Sequence, residues 1–147
     1  MKHCMVILAL ACTPALAAAA EEAGTVKSVK GSVSIARGAQ QLAAAAGDKV
    51  FAHDRIATGA DSAVGITLRD STMLSAGPNS TLNLDKFAFD PITHAGAVDA
   101  TVRRGTLGVI SGKIAKADPQ AVVFRTPTVT LGVRGTEFVV EVSETGD

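Results

Sequence analysis

From Gly24 to Val142 apolar residues recur on alternate positions, in runs of four to seven residues separated by turn-forming residues every eight to twelve positions. Successive side chains of a strand point to opposite faces, so such runs predict half-buried β-strands, and their repetition predicts an all-β domain. Val26 and Val29 mark a first strand, and Val33 and Ile35 a second beyond Lys30-Gly31. In "AVGITL" Val64, Ile66 and Leu68 share a face, and Arg69-Asp70-Ser71 predicts a tight hairpin turn into "TMLS". Gly77-Pro78-Asn79-Ser80 is a strong turn signal, because Pro78 presets one dihedral and Asn79 tolerates the left-handed region. "TLNL" then resumes with Leu82 and Leu84, and Asp90-Pro91 opens a longer loop to Gly96. "AVDATV" alternates through Val98, Ala100 and Val102, and "TLGVI" follows Arg103-Arg104-Gly105. "KIAKADPQ", polar and Pro-bearing, predicts a joint between strands. Gln40 to Ala46 has helical propensity, but seven residues rarely hold a helix unaided, so strand or loop is expected there.

The last alternating segment, "FRTPTVTLGVRGTEFVVEV", changes phase. Val129, Leu131 and Val133 occupy odd positions, whereas Phe138, Val140 and Val142 occupy even ones. One extra residue turns every later side chain to the other face, so a bulge or corner is predicted at Arg134-Gly135, where glycine supplies the backbone freedom. Thr126-Pro127 fits the start of a strand, since proline cannot donate to a ladder. On this reading Thr136 and Phe138 face the core, and the Arg134 guanidinium braces the corner.

Composition narrows the function. At 147 residues one domain is expected, and 14 acidic against 14 basic residues argue against a dedicated binder of nucleic acid or anionic membrane. Five Phe and no Trp or Tyr leave little to stack on bases or sugars. The start, "MKHCMVILALACTPALA", has a basic end, a short apolar run and the small-x-small signal Ala15-Leu16-Ala17. Residues 1–20 are therefore expected to be a cleaved export signal, with cleavage as late as Ala20, and residues 21–147 the β domain. The apolar run is too short for a membrane anchor, which needs about 20 residues. Cys4 and Cys12 both fall in this segment, and Ala9 three positions before Cys12 is a poor match to a lipidation signal. The exported part then has no thiol for a disulfide, a nucleophile or a thiolate metal site.

Two ordered motifs resemble the FecR domain family. "TPTVTLGVRGTEFVV" is similar to its closing motif, so Thr126, Pro127, Val133, Arg134, Gly135, Thr136, Glu137 and Phe138 are the motif residues, structural or interacting. "GDKVFAHDRIATGADSAVGITLRDSTMLSAGPNSTLNL" is similar to its earlier block, in which Gly77, Pro78, Asn79 and Ser80 form a hairpin turn; Asp70-Ser71 stands where the family has Asp-Gly. The resemblance covers about Gly24 to Val142. It implies an extracytoplasmic domain of short antiparallel strands and hairpins, stacked in a twisted β-solenoid-like or sandwich-like arrangement, that works through protein contacts. Family regulators also carry a cytoplasmic sigma-factor-binding segment and a membrane helix. An export signal takes their place here, so a stand-alone domain without anti-sigma activity is expected.

No catalytic or metal chemistry is expected. His53-Asp54 with a serine lacks any strained nucleophile turn. His53 and His94 are far apart in sequence, and Asp61, Asp70, Asp85 and Asp90 have no calcium-loop spacing. "GTLGVISG" lacks the Lys-Ser/Thr of a phosphate loop. Arg103-Arg104 beside Lys113 and Lys116 is read as a local, solvated basic patch. The expectation is a non-catalytic periplasmic or secreted interaction domain in envelope signalling, with no cofactor, whose partner is an envelope protein such as a receptor signalling domain or membrane sensor. The alternatives are a cell-wall polysaccharide-binding module and a self-associating structural protein.

Overall fold

The computed structural model describes residues 22–132 and 137–142. The strands are β1 (Glu22–Lys30), β2 (Val33–Arg37), β3 (Gln40–Ala43), β4 (Lys49–Phe51), β5 (Arg55–Thr58), β6 (Ala63–Leu68), β7 (Met73–Ala76), β8 (Thr81–Phe89), β9 (Gly96–Ile110), β10 (Val122–Arg125), β11 (Thr130–Gly132) and β12 (Glu137–Val142). A short helix α1 (Lys113–Ala117) and a 3-10 turn (Pro119–Ala121) link β9 to β10. The all-β class is as expected, realised as one curled sheet in the order β3-β2-β5-β8-β9-β7-β6-β1-β4.

The curl turns on β9, which serves two sets of neighbours. Its first part lies between β8 and β10, and its second part, from Gly105, lies between β7 and β12. This divides the sheet into a first wing, β4-β1-β6-β7-β9-β12, and a second wing, β3-β2-β5-β8-β9-β10-β11. Both wings feed one core. Val26, Ile66, Leu74 and Leu107 come from the first wing; Ile35, Ile56, Leu82, Val102 and Phe124 come from the second. Phe124 and Phe138 meet edge to face across it, with ring centroids 5.5 Å apart.

A strand can face one core from two wings only if its alternation reverses. In β9 the buried residues are Val98, Ala100 and Val102, then Leu107 and Val109, so the phase changes across Arg103-Arg104-Gly105. Gly105 has φ +90°, and a Cβ on it would overlap Ser80. Only glycine supplies both the dihedral and the clearance. β8 reverses too, with Leu82 and Leu84 giving way to Phe87 past a register shift between Leu84 and Lys86. Such bulges bend and twist a sheet, which here closes the curl.

Several expectations need correction. "AVDATV" and "TLGVI" belong to one continuous strand. The ladder is not wholly antiparallel, since β10 runs parallel to β9 from Val122↔Val98 to Arg125↔Thr101. A parallel pair needs a long crossover, and "KIAKADPQ" supplies it as a helix whose Ile114 and Ala115 are buried. The turn Gly77-Pro78-Asn79-Ser80 joins no hairpin. β7 pairs with β6 and β9, β8 with β5 and β9, so the turn is a corner between wings. Thr126-Pro127 does not begin a strand but lies in the turn from β10 to β11, where Thr126 N–H donates to Val129 O at 2.8 Å. Arg103-Arg104 and Lys113-Lys116 form no single patch, because the second half of β9, about 20 Å of strand, separates them. The segment from Gln40 is a strand.

Candidate functional site

The residues of the earlier motif make a polar hub where the wings join. Thr58, at the end of β5, donates its hydroxyl to Gly77 O at 2.6 Å and accepts from Ser80 N at 2.9 Å. Ser80 Oγ in turn accepts from Thr106 N at 3.0 Å, just past the β9 corner. Gly77 N donates to Thr106 O, and Asn79 N, at a residue with φ 52°, donates to Gly59 O. Ser80 and Thr58 are buried and every one of these groups is paired, so the hub braces the corner and offers no free chemistry. Pro78 presets the turn.

The closing motif is only partly described. Val133, Arg134, Gly135 and Thr136 lie outside the described residues, and with them the predicted pivot and the bracing role of Arg134. Of its flanks, Leu131 is half-buried on β11 of the second wing and Val140 is buried on β12 of the first, as the phase predicts, but Val129 precedes β11 and is exposed. Phe138 packs against the core but is only half-buried, and Glu137 is exposed. Thr126 Oγ1 accepts from Val129 N at 3.0 Å, which closes the turn containing Pro127.

Two buried carboxylates do structural work that spacing did not disclose. Asp54, 1% exposed, accepts from Arg37 Nε at 3.0 Å, Arg37 Nη2 at 2.8 Å and Phe51 N at 2.9 Å. The Arg37 guanidinium also lies over the Phe51 ring, 4.5 Å from its centroid. The hydrogen bond to Asp54 raises the Arg37 pKa, against a smaller opposing effect of burial. Asp70 is fully buried and accepts from Thr72 N, Thr72 Oγ1 and Ile114 N at 3.0, 2.7 and 3.3 Å. His53 is exposed with φ 72°, and His94 stacks on Phe89 at 6.1 Å. Among the described residues no group of three or more His, Cys, Asp or Glu is placed to hold a metal ion.

Among the described strands β3, β4, β11 and β12 each pair on one side only, and β3 is the one whose residues are all exposed. β3 pairs with β2 alone among the described strands, and its residues Gln40, Gln41, Leu42 and Ala43 are all exposed. It carries neither charge nor proline, the usual means of blunting an edge. Beside it runs an open groove of about 560 Å³, lined by Ser34, Leu42, Ala43, Ala57, Thr58 and Gly59. Small side chains paired across β2, β3 and β5, with Ser34 opposite both Ala43 and Ala57, leave the groove shallow and apolar. The Arg37–Asp54 pair anchors the end of β2 against the β4–β5 turn, so the edge is held on a rigid base. Low charge and Gly38 in the turn between β2 and β3 are the sequence signals for this edge, and neither distinguishes it from any surface hairpin.

No helix among the described residues is long and apolar enough to cross a membrane. Neither a curated protein nor a solved structure matches the chain. The sequence model of the family described as FecR protein matches residues 54–147, from the buried Asp54 through the wing-joining hub to the closing motif. Strands β1 to β4 precede the matched part, although β1 is an inner strand of the first wing. With more than half of its length matched, the chain belongs to the FecR family, which is known in the regulation of envelope signalling.

Proposed function

We propose that the protein is an exported, non-catalytic interaction domain of envelope signalling, which captures a strand of a partner protein along β3. Residues 1–20 direct export, and residues 21–147 act in the periplasm or outside the cell. The partner is an envelope protein, such as the signalling domain of an outer-membrane receptor or a membrane-bound sensor. One observation carries the docking site: β3 is exposed along its whole length, has one paired side among the described residues, and lies next to a groove of about 560 Å³. Added strands gain affinity from main-chain hydrogen bonds and specificity from side-chain pockets. Family membership supports the regulatory reading.

The test is site-specific photo-crosslinking in the native envelope. A crosslinking residue at Gln41 is expected to yield a discrete protein adduct, while one at exposed Ile92, on the loop after β8, yields none. Equal labelling at both positions, or no adduct at Gln41 across growth conditions, would overturn the reading.

A further inference from the structure

The outward face of the first wing has a composition of its own. Register places Val139 of β12, Gly108 of β9, Ser75 of β7, Gly65 of β6 and Ser28 of β1 in one row across five strands. The adjoining row contains Glu137, Ile110, Met73, Thr67 and Thr25. Val139, Met73 and Ile110 are 66%, 48% and 42% exposed, an unusual gathering of large apolar side chains on one outer face. Between them and β1 lies a shallow depression of about 210 Å³, lined by Ser28, Lys30, Ala63, Gly65 and Ser75. The two margins carry opposite charge. β12 presents Glu137 and Glu141 and no base. β1 presents Lys27 and Lys30, while Lys49 of β4 is already paired with Glu22 at 3.2 Å.

We propose that this face is the contact surface of a homodimer. A two-fold axis along the strand direction, passing between β9 and β7, exchanges β9 with β7 and β12 with β6. Such an axis leaves each row opposite itself, so every contact occurs twice, as an isologous interface requires. Val139 of one copy then lies over Gly65 of the other and fills the depression. Ile110 lies over Met73, and Gly108 over Ser75, where small residues let the sheets approach. Glu141 is brought beside Ala63 and Lys30, acid against base at both margins. An axis across the strands would instead set acid on acid. The four strands that overlap, β12, β9, β7 and β6, at about 4.8 Å spacing and a few residues of length, give a face of about 20 Å by 20 Å on each copy. The two copies together then bury about 800 Å², less than the roughly 1,000 Å² of a stable specific interface, so only a weak, concentration-dependent dimer is expected. It leaves β3, on the other wing, free for a partner.

Sedimentation velocity on the purified protein, from micromolar to millimolar concentration, tests the proposal. The unmodified protein should pass from monomer to dimer, and Val139→Glu or Ser75→Arg should raise the dissociation constant at least tenfold, with the circular dichroism spectrum unchanged. Lys30→Glu and Glu141→Lys should each weaken the dimer, because each sets like charges against one another at both margins. Their equimolar mixture should restore association, as a heterodimer in which both margins are again acid against base. A monomer throughout the range, a dimer indifferent to these substitutions, or a mixture no tighter than its components would overturn the proposal. None of these outcomes bears on crosslinking at Gln41, so the two readings fail separately.

Discussion

Gly105 is the residue on which the architecture turns. Its positive φ and the Ser80 atoms packed against it exclude any side chain, and they do so at the point where the β9 alternation reverses. Replacing it with alanine combines backbone strain of about 1–3 kcal/mol with overpacking of about 1–3 kcal/mol. Gly105→Ala should therefore lower stability by about 2–6 kcal/mol, read as a lower midpoint in urea unfolding. Gly38 is the control: its φ is +59° but nothing lies within 4 Å of an added Cβ, so Gly38→Ala should cost only about 1–2 kcal/mol. The triplet Arg-Gly-Thr occurs at Arg104-Gly105-Thr106 and again at Arg134-Gly135-Thr136. The first is a corner between wings. The second falls in sequence between β11 and β12, outside the described residues.

At the scale of elements, the crossover from β9 to β10 depends on one carboxylate. The helix α1 has five residues, too short to be stable by propensity, and no side chain caps it locally. Asp70, in the β6–β7 turn, supplies the missing acceptor for Ile114 N, and its backbone carbonyl accepts from Lys113 N at 2.8 Å. Gly112 is pressed against this turn, where a Cβ would overlap Asp70 O and Thr72. Asp70→Ala would leave Thr72 and Ile114 donors buried and unsatisfied, at a cost of about 2–5 kcal/mol. Hydrogen exchange should show the loss first at Lys113 and Ile114, with the amides of β2 and β5 little changed. A uniform loss of protection across the sheet would show instead that the turn belongs to the globally cooperative unit. The polar look of "KIAKADPQ" concealed this, because the face of α1 is set by two residues, Ile114 and Ala115, too few for a periodic signal.

For the whole molecule, the family match and the folding unit do not coincide. The match begins at Asp54, yet β1 pairs with β6 over Gly24–Lys30, and β2 pairs with β5. A chain starting at Asp54 would lose the buried Val26, Val33, Ile35 and Val50. Each buried aliphatic side chain contributes about 1.5–3 kcal/mol, so the loss approaches the whole net stability of about 5–15 kcal/mol. Residues 54–147 alone are expected not to fold, giving a collapsed proton spectrum and no cooperative unfolding transition. A well-dispersed spectrum from that fragment would show that β1 to β4 are an accessory layer.

Strand identity was legible because burial of one face imposes a period of two, and that period survives in the letters: Val64-Ile66-Leu68 and Val98-Ala100-Val102 are both inward as expected. The turn at Asn79 was legible because its backbone demands a residue that tolerates positive φ, and the turn at Ser71 because Arg69-Asp70-Ser71 interrupts two alternating runs; the positive φ at Ser71 itself carried no sequence signal. Partnership was not legible. Gly77–Ser80 as a corner, β10 parallel to β9, and the burial of Asp70 all depend on which segments meet across the core, a choice made by packing at long range. Local periodicity determined the strands and their inward faces. Only the tertiary structure decided their neighbours, and with them which edge and which outer face were left for other molecules.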